Sequence, residues 1–317
     1  MKKVITYIIF CTAIFNFSYS QTTDFLKYSN YVNTAELNII SNKLSLACLY
    51  YDSAFNIFSD PRAVDLHNGI LCAKNIDDTS YCRKFINLMI TNKSLKPDYY
   101  SKIKVKSFLT KEQKNQIKNN YQKRINSDTY KLLCDLCKKD QAIRTRKNYL
   151  IFPEKIREVD SLSRIQYFNS SNNTIYPEYE TLDYPWDERK DYILMFHWSQ
   201  KWSDVDSIYI SAVRELKLNA HAYGFFSDTR RGVEFYNSDY GLVVYIQYKN
   251  KKKRISRSVE HINKINNKRS ELGLECYEDY LKKIEYFEQN KQYCFPITGY
   301  IAIITGPVGK EMINEMN

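Results

Sequence analysis

Acidic, basic and imidazole side chains at helical spacing are the features of this sequence that could do chemistry. Asp140, Gln141 and Arg144 form an Asp-Gln-x-x-Arg motif. Positions i and i+4 share a helix face, so Asp140 and Arg144 can pair. Leu133 and Leu136 precede them in register, so both charges continue an apolar stripe. Asp160 shares a helical face with Ile156, Val159, Ser163 and Tyr167, and His197 stands near the end of the nearly apolar run Asp191–Trp198. Further along come Ala222-Tyr223, Asp228-Thr229-Arg230, Tyr240-Gly241 and Ile265-Asn266-x-x-Arg269-x3-Gly273-Leu274. A charge in apolar surroundings has to be paired or hydrogen-bonded. Asp140, Asp160, His197 and Asp228 are therefore candidate catalytic residues of one acid–base cleft. Gln141, Arg144, Tyr240 and Arg269 are candidate binding residues, with the arginines suited to hold an anion. The competing reading is a structural ion-pair network that fixes helix register.

Other chemistries find less support. Cys134-x-x-Cys137 falls late in a predicted helix, whereas a redox pair of this spacing works at a helix N-terminus. Both thiols are expected to be reduced. The four histidines (67, 197, 221, 261) are scattered, and no metal site is expected. Gly306-Pro307-Val308-Gly309-Lys310 lacks the phosphate-loop spacing, and no Gly-x-Ser-x-Gly elbow occurs. No cofactor is expected.

The elements that must position these residues read as mainly α. Only 8 Gly and 7 Pro in 317 residues argue against an all-β chain. Helices are predicted from about Thr34, with Ala47, Tyr51 and Ala54 on one stripe and Pro61 as the stop. The Ala-x3-Tyr-x2-Ala spacing resembles the second helix of a tetratricopeptide repeat. Two more helices are expected over about 62–74 and 77–91. Lys96-Pro97 and the polar stretch to Lys106 read as a linker. Thr110-x-x-Gln113 opens a long helix as a capping box, running to about Thr145. Helices over about 154–168, 205–216, 220–228, 258–272 and 277–289 complete the set. One β-hairpin is expected near 240–258. The predicted organisation is a leader (1–20), a tetratricopeptide-like helical segment with linker (21–105), and a compact helical domain carrying the hairpin (106–317).

The order of the dispersed motifs resembles that of an uncharacterised bacterial family, a domain of unknown function. There, Asp-Gln-x-x-Arg opens the domain, a His follows a buried helix, an Asp-Arg pair precedes a Tyr-Gly hairpin, and Asn-x-x-Arg-x3-Gly-Leu closes it. The likeness covers about residues 130–288. Secreted members of Bacteroidetes type often carry a tetratricopeptide-like segment in front, and this chain looks similar. Thr229 splits the Asp-Arg pair here, Ser163 stands where Asn is usual, and Lys268 replaces an Arg. The resemblance brings no activity with it.

Lys2 and Lys3 precede an apolar run from Val4 to Phe17, then Ser18-Tyr19-Ser20. That is the pattern of a secretory leader cleaved after Ser20. Its loss takes the formal charge from +11 to +9. The joint richness in Lys, Asn, Ile and Tyr reads as the imprint of an AT-rich genome, so no nucleic-acid partner is expected. Seven of the eight cysteines follow the leader, an odd number with no framework spacing. No later segment reaches the length of a membrane span. The expected protein is exported to periplasm, cell surface or medium. It serves as a binding or scaffold protein for a peptide, protein or glycan of the cell envelope, or alternatively as a hydrolase-like or lyase-like enzyme.

Overall fold

In the computed structural model the chain is mainly helical. The structure describes residues 23–145, 152–170, 194, 197–198, 205–230, 238–241, 243, 245–248, 251–254, 256–290 and 292–295. The expected leader (1–20), most of the 191–198 run and the tail from 296 lie outside them.

Helix α1 (23–40) buries Phe25, Tyr28, Val32, Ala35 and Ile39. Their alternating spacing of three and four makes one apolar face. It extends well ahead of the expected start near Thr34. Helices α2 (Leu44–Phe55), α3 (Ala63–Asn75) and α4 (Thr79–Asn92) follow. The Ala47, Tyr51 and Ala54 stripe is wholly buried. Every residue of α3 from Ala63 to Ala73 is buried, and α3 packs on both α2 and α4. The Asp78 carboxylate caps α4, accepting from the Ser80 and Tyr81 amides at 3.0 Å.

The expected linker is instead packed. It forms the short helix α5 (Tyr99–Lys102) and a 3-10 turn at Lys106–Phe108. Tyr99, Tyr100, Ile103, Val105 and Leu109 enter the core, which outweighs the polar residues between them. The single long helix expected over 110–145 is two. The capping box at Thr110 and Gln113 opens α6 (Lys111–Asn126). Ser127 then leaves helical geometry and caps α7 (Asp128–Ile143), its hydroxyl accepting from the Tyr130 amide.

Helix α8 (Pro153–Ser170) packs along α7, and α9 (Val205–Arg214) packs against α10 (Ala220–Arg230). Two four-residue strands, β1 (Tyr245–Tyr248) and β2 (Lys251–Arg254), pair antiparallel with Tyr245 opposite Arg254. Helices α11 (Val259–Glu271) and α12 (Tyr277–Gln289) follow.

The expected division near residue 105 does not part the core. One apolar cluster joins α1–α4 to α9, α10, Leu272, Leu274, Tyr293 and Phe295. The Asn68 side chain donates to the Cys294 carbonyl and accepts from its amide, at 2.8 and 2.9 Å. At Gly273, φ is 62°, and an added Cβ would stand 2.7 Å from Ser29. Glycine there both ends α11 and lets α1 pass close by. Among the described residues no helix is long and apolar enough to cross a membrane.

None of the seven described cysteines is in a disulfide. Cys276 is exposed, Cys134 half-buried, and Cys48, Cys72, Cys82, Cys137 and Cys294 are buried. A charged thiol reagent should therefore label native protein first at Cys276, then at Cys134. The other five should react only on unfolding. Fast labelling of Cys48 or Cys72 in native protein would contradict this packing.

Candidate functional site

The candidate residues fall into two groups rather than one cleft. The first lies where α7 and α8 meet His197. Cys137, Leu133 and Leu136 on α7 pack with Tyr167, Leu194 and Trp198 around it. The helical spacing puts Asp140 at the end of that stripe, fully buried. Its Oδ1 accepts from Arg144 Nε at 3.0 Å and Arg144 Nη2 at 2.8 Å, and lies 2.9 Å from His197 Nδ1. Oδ2 accepts from Gln141 at 2.6 Å. Arg144 Nη2 also donates to Asp160 Oδ1, tying α7 to α8. Ser163 accepts from the Trp198 indole at 3.0 Å and donates to the Asp160 carbonyl.

Burial pushes the Asp140 carboxyl up, but the hydrogen bonds from His197 and Arg144 outweigh it and hold the pKa at about 2. Asp140 is thus a permanent anion at neutral pH and a poor proton carrier. Its chemical use is to orient His197, whose side chain keeps 15% exposure. Asp140, Asp160 and His197 offer ligand atoms within 4.8 Å of one another. A divalent cation favours such a donor set. The Arg144 guanidinium already bridges both carboxylates, so a metal would have to displace it.

The second group lies among α10, α11, α12 and α1. Asp228, at the end of α10, accepts from the amides of Asp239 and Tyr240 at 2.8 and 3.1 Å. Arg269 donates to the carbonyls of Tyr240 at 2.8 Å and Glu275 at 2.6 Å. Its guanidinium also lies over the Tyr280 ring, 4.4 Å from the centroid. Asp228 and Arg269 together hold the Tyr240-Gly241 turn at its amide and its carbonyl. Gly241 takes φ 78° and lies against Tyr277, where a Cβ would clash at 2.7 Å. Asn266 accepts from the Tyr277 amide at 2.7 Å, at the start of α12. The closing motif is therefore a set of fasteners for the α11–α12 corner. The space left among His221, Asp228, Tyr240 and Arg269 is about 10 Å³, room for one water at most.

Behind this corner is a buried ionic chain that the sequence reading missed. Lys283 on α12 pairs with Glu36 on α1 and with Glu275 at 3.3 Å. Glu275 also meets His221 at 3.2 Å and Arg269 at 3.3 Å. All five side chains are buried. Burial raises the Glu36 carboxyl to about 7 against the pull of Lys283. Glu275 stays well below the usual range, because His221, Lys283 and Arg269 outweigh its desolvation. A signal for both ends was available: Glu36 continues the Ser29, Val32 face of α1, and Lys283 follows Tyr280 by one turn of α12.

Comparison with known proteins gives no matching family model, curated protein or solved structure. Geometry alone therefore carries the reading of these groups. The first is a compact carboxylate–arginine–histidine corner with one partly exposed ring. The second is a closed structural joint. Arg230, whose place in the Asp-Arg motif was shifted by Thr229, serves a third contact. It makes a two-pronged pair with Asp206 at 2.8 Å, linking α10 to α9.

A sizeable cavity lies away from both groups. It measures about 450 Å³ and is lined by His67, Leu71, Lys74, Lys102, Ile103, Lys104 and Gln292. Helix α3 supplies its floor, and the turn after α5 its rim.

Proposed function

We propose that the chain is an exported binding or scaffold protein of the cell envelope, presenting a peptide-, protein- or glycan-recognising face. The cavity beside α3 is the observation that carries this reading, because it is of ligand size and lies apart from the closed polar joints. In this proposal α2–α4 are a tetratricopeptide-like array, β1 and β2 are the hairpin of the second region, and the motif order marks membership of the uncharacterised family. The array serves chiefly as a platform: its central helix is buried on all sides, so recognition falls to the face beside it. Nucleic acid is not among the proposed partners.

Export rests on the leader sequence. The secreted chain should begin at Gln21, with a mass lower than the precursor by residues 1–20. Crosslinking in the producing cells should then recover it with envelope material. An intact N-terminus in the cytosolic fraction would remove the reading.

One observation favours the enzyme alternative. Asp140 fixes His197 at 2.9 Å while the ring retains some exposure, an arrangement suited to a general base. In that case His197→Gln would abolish an envelope hydrolase or lyase activity while leaving ligand capture intact.

A further inference from the structure

We propose that the cavity beside α3 is an anion site, selective for a small phosphate monoester with an apolar body. The proposal deepens the binding-protein reading and rests on it for biological context only. Three lysines line the cavity: Lys74 from α3, Lys102 from the end of α5 and Lys104 from the turn after it. Among the described lining residues there is no carboxylate. Leu71 and Ile103 give the cavity its apolar wall.

The amines are placed by distinct means. Lys74 is half-buried and donates to the Ile103 carbonyl at 3.1 Å, which pins its ammonium at the cavity edge. Lys102 shares an exposed pair with Asp98 at 3.3 Å, a contact of little strength that an anion can displace. Lys104 adopts a left-handed backbone with φ 57°, unusual for a side chain of its kind. That conformation turns the chain sharply between Ile103 and Val105, both buried. The left-handed turn is the C-terminal cap of α5, with the Lys104 and Val105 amides donating to the Ser101 and Tyr100 carbonyls, and it fixes the Lys104 backbone on the rim of the cavity.

His67 lines the cavity as a buried, neutral ring. Burial lowers its pKa to about 4, so it adds no charge at neutral pH. Its Nδ1 lies 2.8 Å from the Tyr99 hydroxyl, which orients the ring. Three ammoniums match a dianion better than a monoanion, and lysine binds phosphate as a point charge. The aliphatic wall then suits a hydrocarbon or aromatic ester group.

Titration calorimetry of the full mature chain at low salt tests this with phenyl phosphate, benzoate and phenyl glucoside. Phenyl phosphate should bind most tightly, benzoate more weakly, and the neutral glucoside not measurably. The double variant Lys102→Gln/Lys104→Asn should weaken phenyl phosphate by about tenfold or more. Asn tolerates the left-handed backbone, and both sites are exposed, so folding should be kept; an unchanged melting curve checks this. Equal binding of phosphate and glucoside overturns the proposal. So does an unchanged affinity in the double variant, or no saturable heat with phenyl phosphate up to about 10 mM. A chain that binds phenyl phosphate but stays in the cytosol keeps this site and loses the export reading. The reverse result loses only the site.

Discussion

Lys283→Met should cost about 3–5 kcal/mol of folding free energy at about pH 8, the penalty for stranding a buried charge. Lys283 is fully buried, and three acceptors share its ammonium: Glu36, Glu275 and the Asn33 side-chain oxygen at 3.1 Å. Its removal leaves two buried carboxyls facing one another. Glu275 retains Arg269 and His221, whereas Glu36 loses its nearest cation. Burial already lifts the Glu36 pKa to about 7, above the unfolded value of 4.5. A raised carboxyl contributes most below the unfolded pKa, and that contribution is lost as pH rises through the folded one. Without Lys283 the folded value should rise further. The deficit of the variant should therefore shrink as pH is lowered from about 8 to about 5. Urea midpoints across that range provide the measurement. The double variant Glu36→Met/Lys283→Met should recover much of the loss, since matched apolar pairs replace buried ion pairs at small cost. A neutral single variant, or a deficit that grows as pH falls, would show that the pair does not hold α1 to α12.

Asp140→Ala is the second large effect, also about 3–5 kcal/mol. The Asp140 carboxylate takes hydrogen bonds from Arg144 and Gln141 and meets His197. The substitution takes from Arg144, with a side chain only 10% exposed, one of the two carboxylates that it bridges. The same carboxyl gives the parent protein an acid-side signature. Its pKa is about 2 against 3.8 for an ordinary Asp. A depressed carboxyl stabilises above the unfolded pKa, and this is lost as pH falls through the folded one. The parent should lose about 2 kcal/mol between roughly pH 4 and 2 from this group. Asp140→Asn should not show that component. Identical acid limbs for parent and Asp140→Asn would mean that the carboxylate is not paired in solution.

Local signals in the sequence carried much of the architecture. The Thr110–Gln113 capping box, the Ala47/Tyr51/Ala54 stripe, the Gly273 stop and the Tyr277–Gln289 helix are all visible in residue type and spacing. The inward face of Asp160 was legible for the same reason. What escaped was one local cap and several contacts of longer range. Ser127 looked like one more polar residue in a polar helix until its hydroxyl was seen to cap the next one. The 97–106 stretch looked like a linker because its buried residues, Tyr99, Tyr100, Ile103 and Val105, lack helical or strand periodicity. Most of all, periodicity identifies which residues face inward but not which element they meet. Asp228 and Arg269 were rightly placed on inner faces, yet they meet a backbone turn rather than Asp140 and His197. Glu36 and Lys283 stand 247 positions apart, and nothing local couples them.

That separation also bears on the order in which the chain can mature. Helix α1 is made early, but the partners that cover it at Gly273 and Lys283 are made late. Contacts this remote close slowly, because a long loop must be ordered before any of them is rewarded. A nascent chain would therefore hold α1 without these late contacts, unable to commit to the native state. Under the export proposed above, such a delay would keep the chain threadable through a narrow channel. It also means that folding waits on the distal quarter of the sequence, so a product truncated before α12 should be a target for proteolysis rather than a smaller working protein.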